Sequence, residues 1–170
     1  MHFLDIFSKT ELFFVEDMAH EIMLTNEVSE IFGLYLSPQD SREIIITRNT
    51  ILKEYGRVEV DIEITRKIIM QFCSSPYLQQ ADYMETIIEI QELFHYIKNE
   101  LDDDIGDDEL IERLADLYNH KCFGVLDLLK GRETEKIIQQ YRFGDEYDQD
   151  PDLEVDEDQV ESWEDTLWDQ

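Results

Sequence analysis

Arg48 and Asn49 stand where helical spacing calls for apolar side chains. On a helix, Ile44, Arg48, Ile51 and Tyr55 fall on one side, with Ile45, Asn49 and Leu52 next to them. A guanidinium in such a face needs a carboxylate partner and full hydrogen bonding, because an unpaired buried charge is expensive. The plainer expectation is an internal pair, through Glu59 or Glu63, tying this helix to its neighbour. The sharper one is a pocket for an anionic ligand, although no glycine loop accompanies it.

Two other spacings belong to metal chemistry. Glu92-x-x-His95 and Asp17-x-x-His20 each put an acid and an imidazole on one helical face, as carboxylate-bridged di-metal bundles do. Orientation argues against both. His95 falls at the edge of an apolar stripe, and Glu92 shares the polar face with Glu85 and Glu89. With 42 acids in 170 residues, an acid three before a histidine arises by chance. Asp17, His20, Glu92 and His95 are therefore weak candidates, read first as boundary residues on solvated helices, and no metal or other cofactor is expected. His120 and Cys122 lack two further soft ligands at local spacing, so zinc is not indicated. Cys73 and Cys122 read as free buried thiols of a reducing compartment. In "DDDIGDDELIE", taking Asp102 as the first position of a calcium loop puts Gly106 on an acidic ligand position and Asp107 on the required glycine. No nucleotide-binding, hydrolase or kinase motif is present. Catalysis is the lesser expectation.

The elements that would position these residues are mainly helical. Residues 9–32 have helical apolar spacing through Phe14, Met18, Ile22, Val28, Ile31 and Phe32, with a break near Thr25-Asn26 and a stop at Gly33. Ser37 as N-cap, Pro38 at the first helical position and Asp40 in the first turn start a second helix that ends at Gly56. "GRVEVDIEIT" alternates apolar and charged residues, which predicts a short extended piece near 57–61 before a helix capped by Asp61. Tyr83, Ile87, Ile90, Phe94, Ile97 and Leu101 form one continuous stripe, with Asp82 and Glu85 as a capping-box variant. Further helices cover the residues after "DDDIGDD", then "FGVLDLLK" closed by Gly131 and "RETEKIIQQYRF" closed by Gly144. The expectation is a mainly α, single-domain bundle of about seven helices over residues 1–143.

Net charge is −28, and 13 of the acids fall in residues 145–170, where there is no Lys or Arg. The remaining 144 residues carry 29 acids and 14 bases, so the body is acidic too. Such a surface repels phosphate backbones and anionic bilayers and attracts basic partners. Residues 144–170 read as a flexible acidic tail containing a short amphipathic helix at 157–168. There Val160, Trp163, Leu167 and Trp168 would form an apolar edge on an anionic rod. No apolar run is long enough for a membrane span, and no secretory leader is evident, so the cytoplasm is the expected location.

Four segments together resemble a bacterial family catalogued only as domain of unknown function 6323. They are "RNTILKEYGRVEV", "IIMQFCSSPYLQQADYMETIIEIQELFHYIKNE", "DDELIERLADLYN" and "CFGVLDLL", and the likeness runs over about residues 20–140. The resemblance implies a bacterial cytoplasm and carries no activity, cofactor or site residue. The family pattern has glycines after "GRVE" where this chain reads "VDIEI", and the acidic tail is an addition. The leading expectation is a non-catalytic protein–protein interaction module, its partner another protein that is basic or offers an apolar groove. A nucleic-acid mimic that blocks a basic DNA- or RNA-binding protein is the second expectation, and a carboxylate/His metal enzyme the third. Homodimerisation through the "RVEV" edge is a further option.

Overall fold

The computed structural model describes the backbone of residues 3–144 and the side chains from Glu11 onward. The Val160, Trp163, Leu167 and Trp168 edge of the tail lies outside the described residues. Six helices of ten residues or more are present there, with no strand among the described residues: α1 (Phe3–Leu24), α3 (Pro38–Glu54), α4 (Glu63–Phe72), α5 (Tyr83–Glu100), α6 (Asp107–His120) and α8 (Thr134–Phe143), with short turns α2 (Asn26–Ser29) and α7 (Leu126–Leu128) between them. The fold is mainly α, as the periodicities require. Among the described residues, those up to Ile138 form one compact unit, and a second begins at Gln139.

α1 begins at Phe3, well before residue 9, and breaks at Thr25 as expected. The break has a cause. Thr25 Oγ1 donates to the Ile22 carbonyl at 2.6 Å, offering the backbone an alternative to the next helical bond. Asn26, also buried, donates from Nδ2 to the Leu36 carbonyl and accepts from the Leu36 N–H, both at 2.8 Å. One amide thus replaces a missing backbone partner and ties the extended residues around Leu36 to the start of α2. Gly33 makes the turn at φ +77°, which a side chain would strain.

α3 starts as the sequence requires. Ser37 Oγ accepts from the Asp40 N–H at 3.1 Å, and Asp40 Oδ2 accepts from the Ser37 N–H at 2.9 Å, a closed capping box ahead of Pro38. α3 packs against α1 on one side and α5 on another, while α4 is held by α5 and α6. Every member of the Tyr83–Leu101 stripe is buried. Across it lie Ile44, Ile45, Ile68, Ile69 and Phe72, all without exposed surface. The Asp82–Glu85 cap does not form: Asp82 is the N-cap of α5 but its side chain bonds no backbone N–H.

Two further expectations change. Gly131 does not end a helix. The chain passes from α7 through a π-helical turn (Leu129–Glu133) directly into α8, with Thr134 Oγ1 donating to the Leu129 carbonyl at 2.6 Å. The two predicted terminal helices are one helical path with a bulge, which accounts for six helices in place of about seven. The 57–61 segment forms no strand, although its alternation is kept with the faces reversed. Val58 and Val60 are each 90% exposed, and Arg57 and Glu59 turn inward.

Candidate functional site

What turns Glu59 inward is Arg48. It sits mid-α3, 1% exposed. Its Nη2 donates to the Glu59 carbonyl at 3.2 Å and to the Asp61 carbonyl, and lies 3.6 Å from Glu59 Oε2. Nη1 donates to Asn49 Oδ1 at 2.9 Å. An irregular connector cannot satisfy its own backbone, and here a side chain supplies the donors. Asn49 is itself exposed and serves as an acceptor for Arg48. The internal-pair expectation through Glu59 is what the geometry contains. The N-cap of α4 is Ile62, one residue later than expected, and Asp61 stands just outside it, its Oδ1 accepting from the Glu63 N–H at 3.1 Å.

Burial lowers the pKa of Arg48, with the Glu59 and Asp61 charges opposing it. Burial likewise raises that of Glu59, against the pull of Arg48. His95 completes the group. Only 1% exposed, it lies with Nε2 4.0 Å from Glu59 Oε1, and neither ring nitrogen has a hydrogen-bond partner among the described residues. Burial, then the Arg57 and Arg48 charges, push its pKa down to about 4, so the ring is neutral at pH 7. The placement of His95 at a solvated boundary is thereby corrected: α5 is buried over a wider arc than its main stripe, and His95 stacks edge-on against Phe94.

The knot extends into the acidic loop. Lys98, on α5 and 6% exposed, donates to the Ile105 carbonyl at 2.7 Å, and its Nζ lies 2.7 Å from Asp107 and 3.6 Å from Asp103. Arg57 meets Asp103 at 2.7 Å, and Lys67 meets Asp108 at 2.7 Å. Burial alone would raise the Asp103 carboxyl, but Arg57 and Lys98 together hold it below its ordinary value. Asp103, Asp107 and Asp108 of "DDDIGDD" are thus engaged by the chain's own cations.

The weak metal candidates are not brought together. Asp17, His20 and Glu92 are exposed while His95 points inward, and no three His, Cys, Asp or Glu side chains gather into a metal-binding group among the described residues. Cys73 and Cys122 are free, buried thiols, each pushed up in pKa by burial. His120 is exposed, 3.8 Å from Asp116.

Two surface grooves went unread in the sequence. One, of ≈ 490 Å³, lies between α1 and α3 and is lined by Phe14, Val15, Ile46, Thr50, Glu11 and Lys53, among others. The other, of ≈ 380 Å³, lies between α3 and α5 and is walled by Tyr55 and Tyr96. Its signal was present as Ile51-x-x-Glu54-Tyr55 and Glu89-x-x-Glu92-Leu93-x-x-Tyr96, each one helical face of mixed character.

Over the described residues the molecule is a mainly α body knotted by buried ion pairs, with grooves on its surface. Residues 21–147 match a family of unknown function, DUF6323, and the chain belongs to that family. No curated protein and no solved structure matches it. Among the described residues no helix is long and apolar enough to cross a membrane.

Proposed function

We propose that this protein is a non-catalytic interaction module that holds a basic amphipathic helix of a partner protein in the groove between α1 and α3. One observation carries the reading: Phe14 and Ile46, which both line the groove, are 56 and 53% exposed, and Leu12 and Phe13, 61 and 70% exposed, extend the apolar surface onto neighbouring arcs of α1. Apolar surface gathered this way is normally covered in a contact. The Phe13 ring packs edge to face on Phe14, 6.5 Å between centroids, and so braces the one ring of the pair that lines the groove. Glu11 lines the groove, Glu16 and Asp17 are exposed on the same helix, and the chain carries −28 overall. A helix with apolar anchors at i, i+3 and i+7 and a basic flank matches both features.

The tail edge of Val160, Trp163, Leu167 and Trp168 is proposed as a second anchor for the same partner. Its basis is the sequence alone.

The test is capture from a bacterial lysate with the full chain, at low and high salt, followed by titration of the purified partner. The parent should retain a basic protein that Phe13→Glu/Phe14→Glu loses while its helical content and melting temperature are kept. Trp163→Ala/Trp168→Ala should weaken the same complex. A retained set unchanged by the Phe13/Phe14 variant sinks the groove. Displacement of the partner by duplex DNA would move the reading to nucleic-acid mimicry, and stoichiometric iron, manganese or zinc in the purified protein would move it to a metal enzyme.

A further inference from the structure

The α3–α5 groove differs from the α1–α3 groove in chemistry. Its floor is Ile51 and Leu93, 4 and 6% exposed. Its walls are the half-buried Tyr55 and the 40%-exposed Tyr96. Glu54, Glu89 and Glu92 complete the lining with Lys130, whose Nζ reaches Glu89 at 2.9 Å. Among the described residues no ion pair engages Glu54 or Glu92. We infer that this groove is a pocket for one arginine side chain of a protein partner.

Four considerations converge on that ligand. The volume of ≈ 380 Å³ falls at the small end of the ~300–1,000 Å³ range of ligand pockets, suited to a single side chain. The apolar floor matches the aliphatic stem of a long basic residue, which lies on apolar surface while its head stays polar. Two tyrosines with carboxylates beside them match a planar guanidinium, which stacks on an aromatic face and forks onto a carboxylate; an ammonium does neither as well. Lys130 shows that the rim accepts a cation, since it already neutralises Glu89 there and leaves Glu54 and Glu92 unpaired. The Tyr55 hydroxyl reports the same negative field: burial raises its pKa first, and Glu54, Tyr96, Glu100 and Glu92 raise it further. Three carboxylates against one ammonium disfavour a phosphate or carboxylate ligand.

This inference rests on the proposed function only for the source of the arginine. Its test is a titration of the isotope-labelled full chain with Nα-acetyl-arginine methylamide, read by amide chemical shifts. Saturable shifts should fall on residues 51–55 and 89–96, and the citrulline analogue, with the same shape and no charge, should produce none. Glu92→Gln and Tyr96→Ala, both at exposed positions, should each weaken binding about fivefold, the loss of one cation–π or charge-assisted contact. Asp17→Asn, a charge change of the same size outside the pocket, should alter it less than about twofold, as expected for screened long-range charge. No saturable shift overturns the pocket whether or not a partner is captured through Phe13 and Phe14. Equal weakening by Asp17→Asn reduces the effect to bulk charge and overturns it too. A lysine analogue that binds as tightly overturns the guanidinium assignment. Partner capture that survives Phe13→Glu/Phe14→Glu sinks the α1–α3 groove and leaves this titration standing.

Discussion

Arg48 Nη2 lies 3.6 Å from Glu59 Oε2 and donates to the Glu59 backbone carbonyl at 3.2 Å, so one buried guanidinium holds both the side chain and the main chain of the α3–α4 connector. Buried ion pairs rarely contribute much net stability, but removing one member leaves the other uncompensated. The partners here are unequal. The Arg48 side chain is 2% exposed and that of Glu59 is 22%, so Glu59 can turn to water and Arg48 cannot.

Arg48→Met should therefore cost about 3 kcal/mol, because the Glu59 and Asp61 carbonyls lose their donor along with the ion pair. Glu59→Gln should cost roughly 1 kcal/mol, since the amide keeps a polar group at a partly hydrated position. Thermal melts at pH 7 decide it, at roughly 2–4 °C per kcal/mol for a chain of this size. Arg48→Met melting with the parent would mean the connector is held elsewhere.

His95 sets a pH dependence whose sign is fixed by its burial. Its pKa falls from 6.5 to about 4, because burial and then Arg57 and Arg48 oppose the imidazolium. Above pH 6.5 both folded and unfolded chains keep the ring neutral and its contribution is complete. Between 6.5 and about 4 only the unfolded chain takes up the proton, so stability falls as pH falls, in total by on the order of 3 kcal/mol. Glu59 works in the opposite sense. Its raised carboxyl pKa contributes stability below the unfolded value that is lost as pH rises through the folded one. The difference in unfolding free energy between the parent and His95→Gln isolates the imidazole. It should shrink between about pH 7 and pH 4, and a flat difference would show that His95 protonates freely in the folded chain.

Gly124 is the glycine where substitution should cost most. Its φ is +78°, and an added Cβ would lie 2.3 Å from Tyr77 Cβ, an atom that no rotamer change can withdraw, and 2.8 Å from Cγ. Strain and overpacking together put Gly124→Ala at about 2–4 kcal/mol. Gly131, in the π-helical turn, meets nothing within 4 Å, and Gly131→Ala should be neutral or stabilise by about 0.5 kcal/mol. Urea unfolding of the two variants should rank them in that order, and equal midpoints would refute the close approach of Gly124 to Tyr77.

Where the sequence could be read, it was through local rules. The Ser37 cap with Asp40 in the first turn, the Gly33 stop and the Tyr83–Leu101 stripe follow from capping chemistry and helical period alone. The inward face of the connector was not legible, because alternation says only that successive side chains face opposite ways. Which face is inward depends on what waits there, and here a guanidinium is fixed on α3, a partner twelve or so residues away in the chain. His95 was misplaced for a related reason: the arc of α5 that is buried depends on how many neighbours cover it. The grooves could not be assembled from the sequence, even where a mixed helical face hinted at one wall, because each needs residues from separate helices, whose pairing no single period encodes.

Cys73 and Cys122 give a readout of how tightly the body is closed. Both are 1% exposed, and burial raises the pKa of each thiol, so little thiolate is present and little of it is reachable. Alkylation by iodoacetamide at about pH 8 should be at least about 100-fold slower than in urea-unfolded protein, because each modification must wait for an opening of several kcal/mol. The two sites should also separate. Cys73 follows the C-terminal end of α4, which is packed between α5 and α6, whereas Cys122 sits in the loop after α6 beside the strained Gly124 turn. Local opening of that loop needs fewer contacts broken, so Cys122 should react first, as peptide mapping after partial labelling would show. Gly124→Ala should accelerate Cys122 and leave Cys73 near its parental rate. If both thiols speed up equally, Gly124 supports the whole body and the turn is no separate unit of opening.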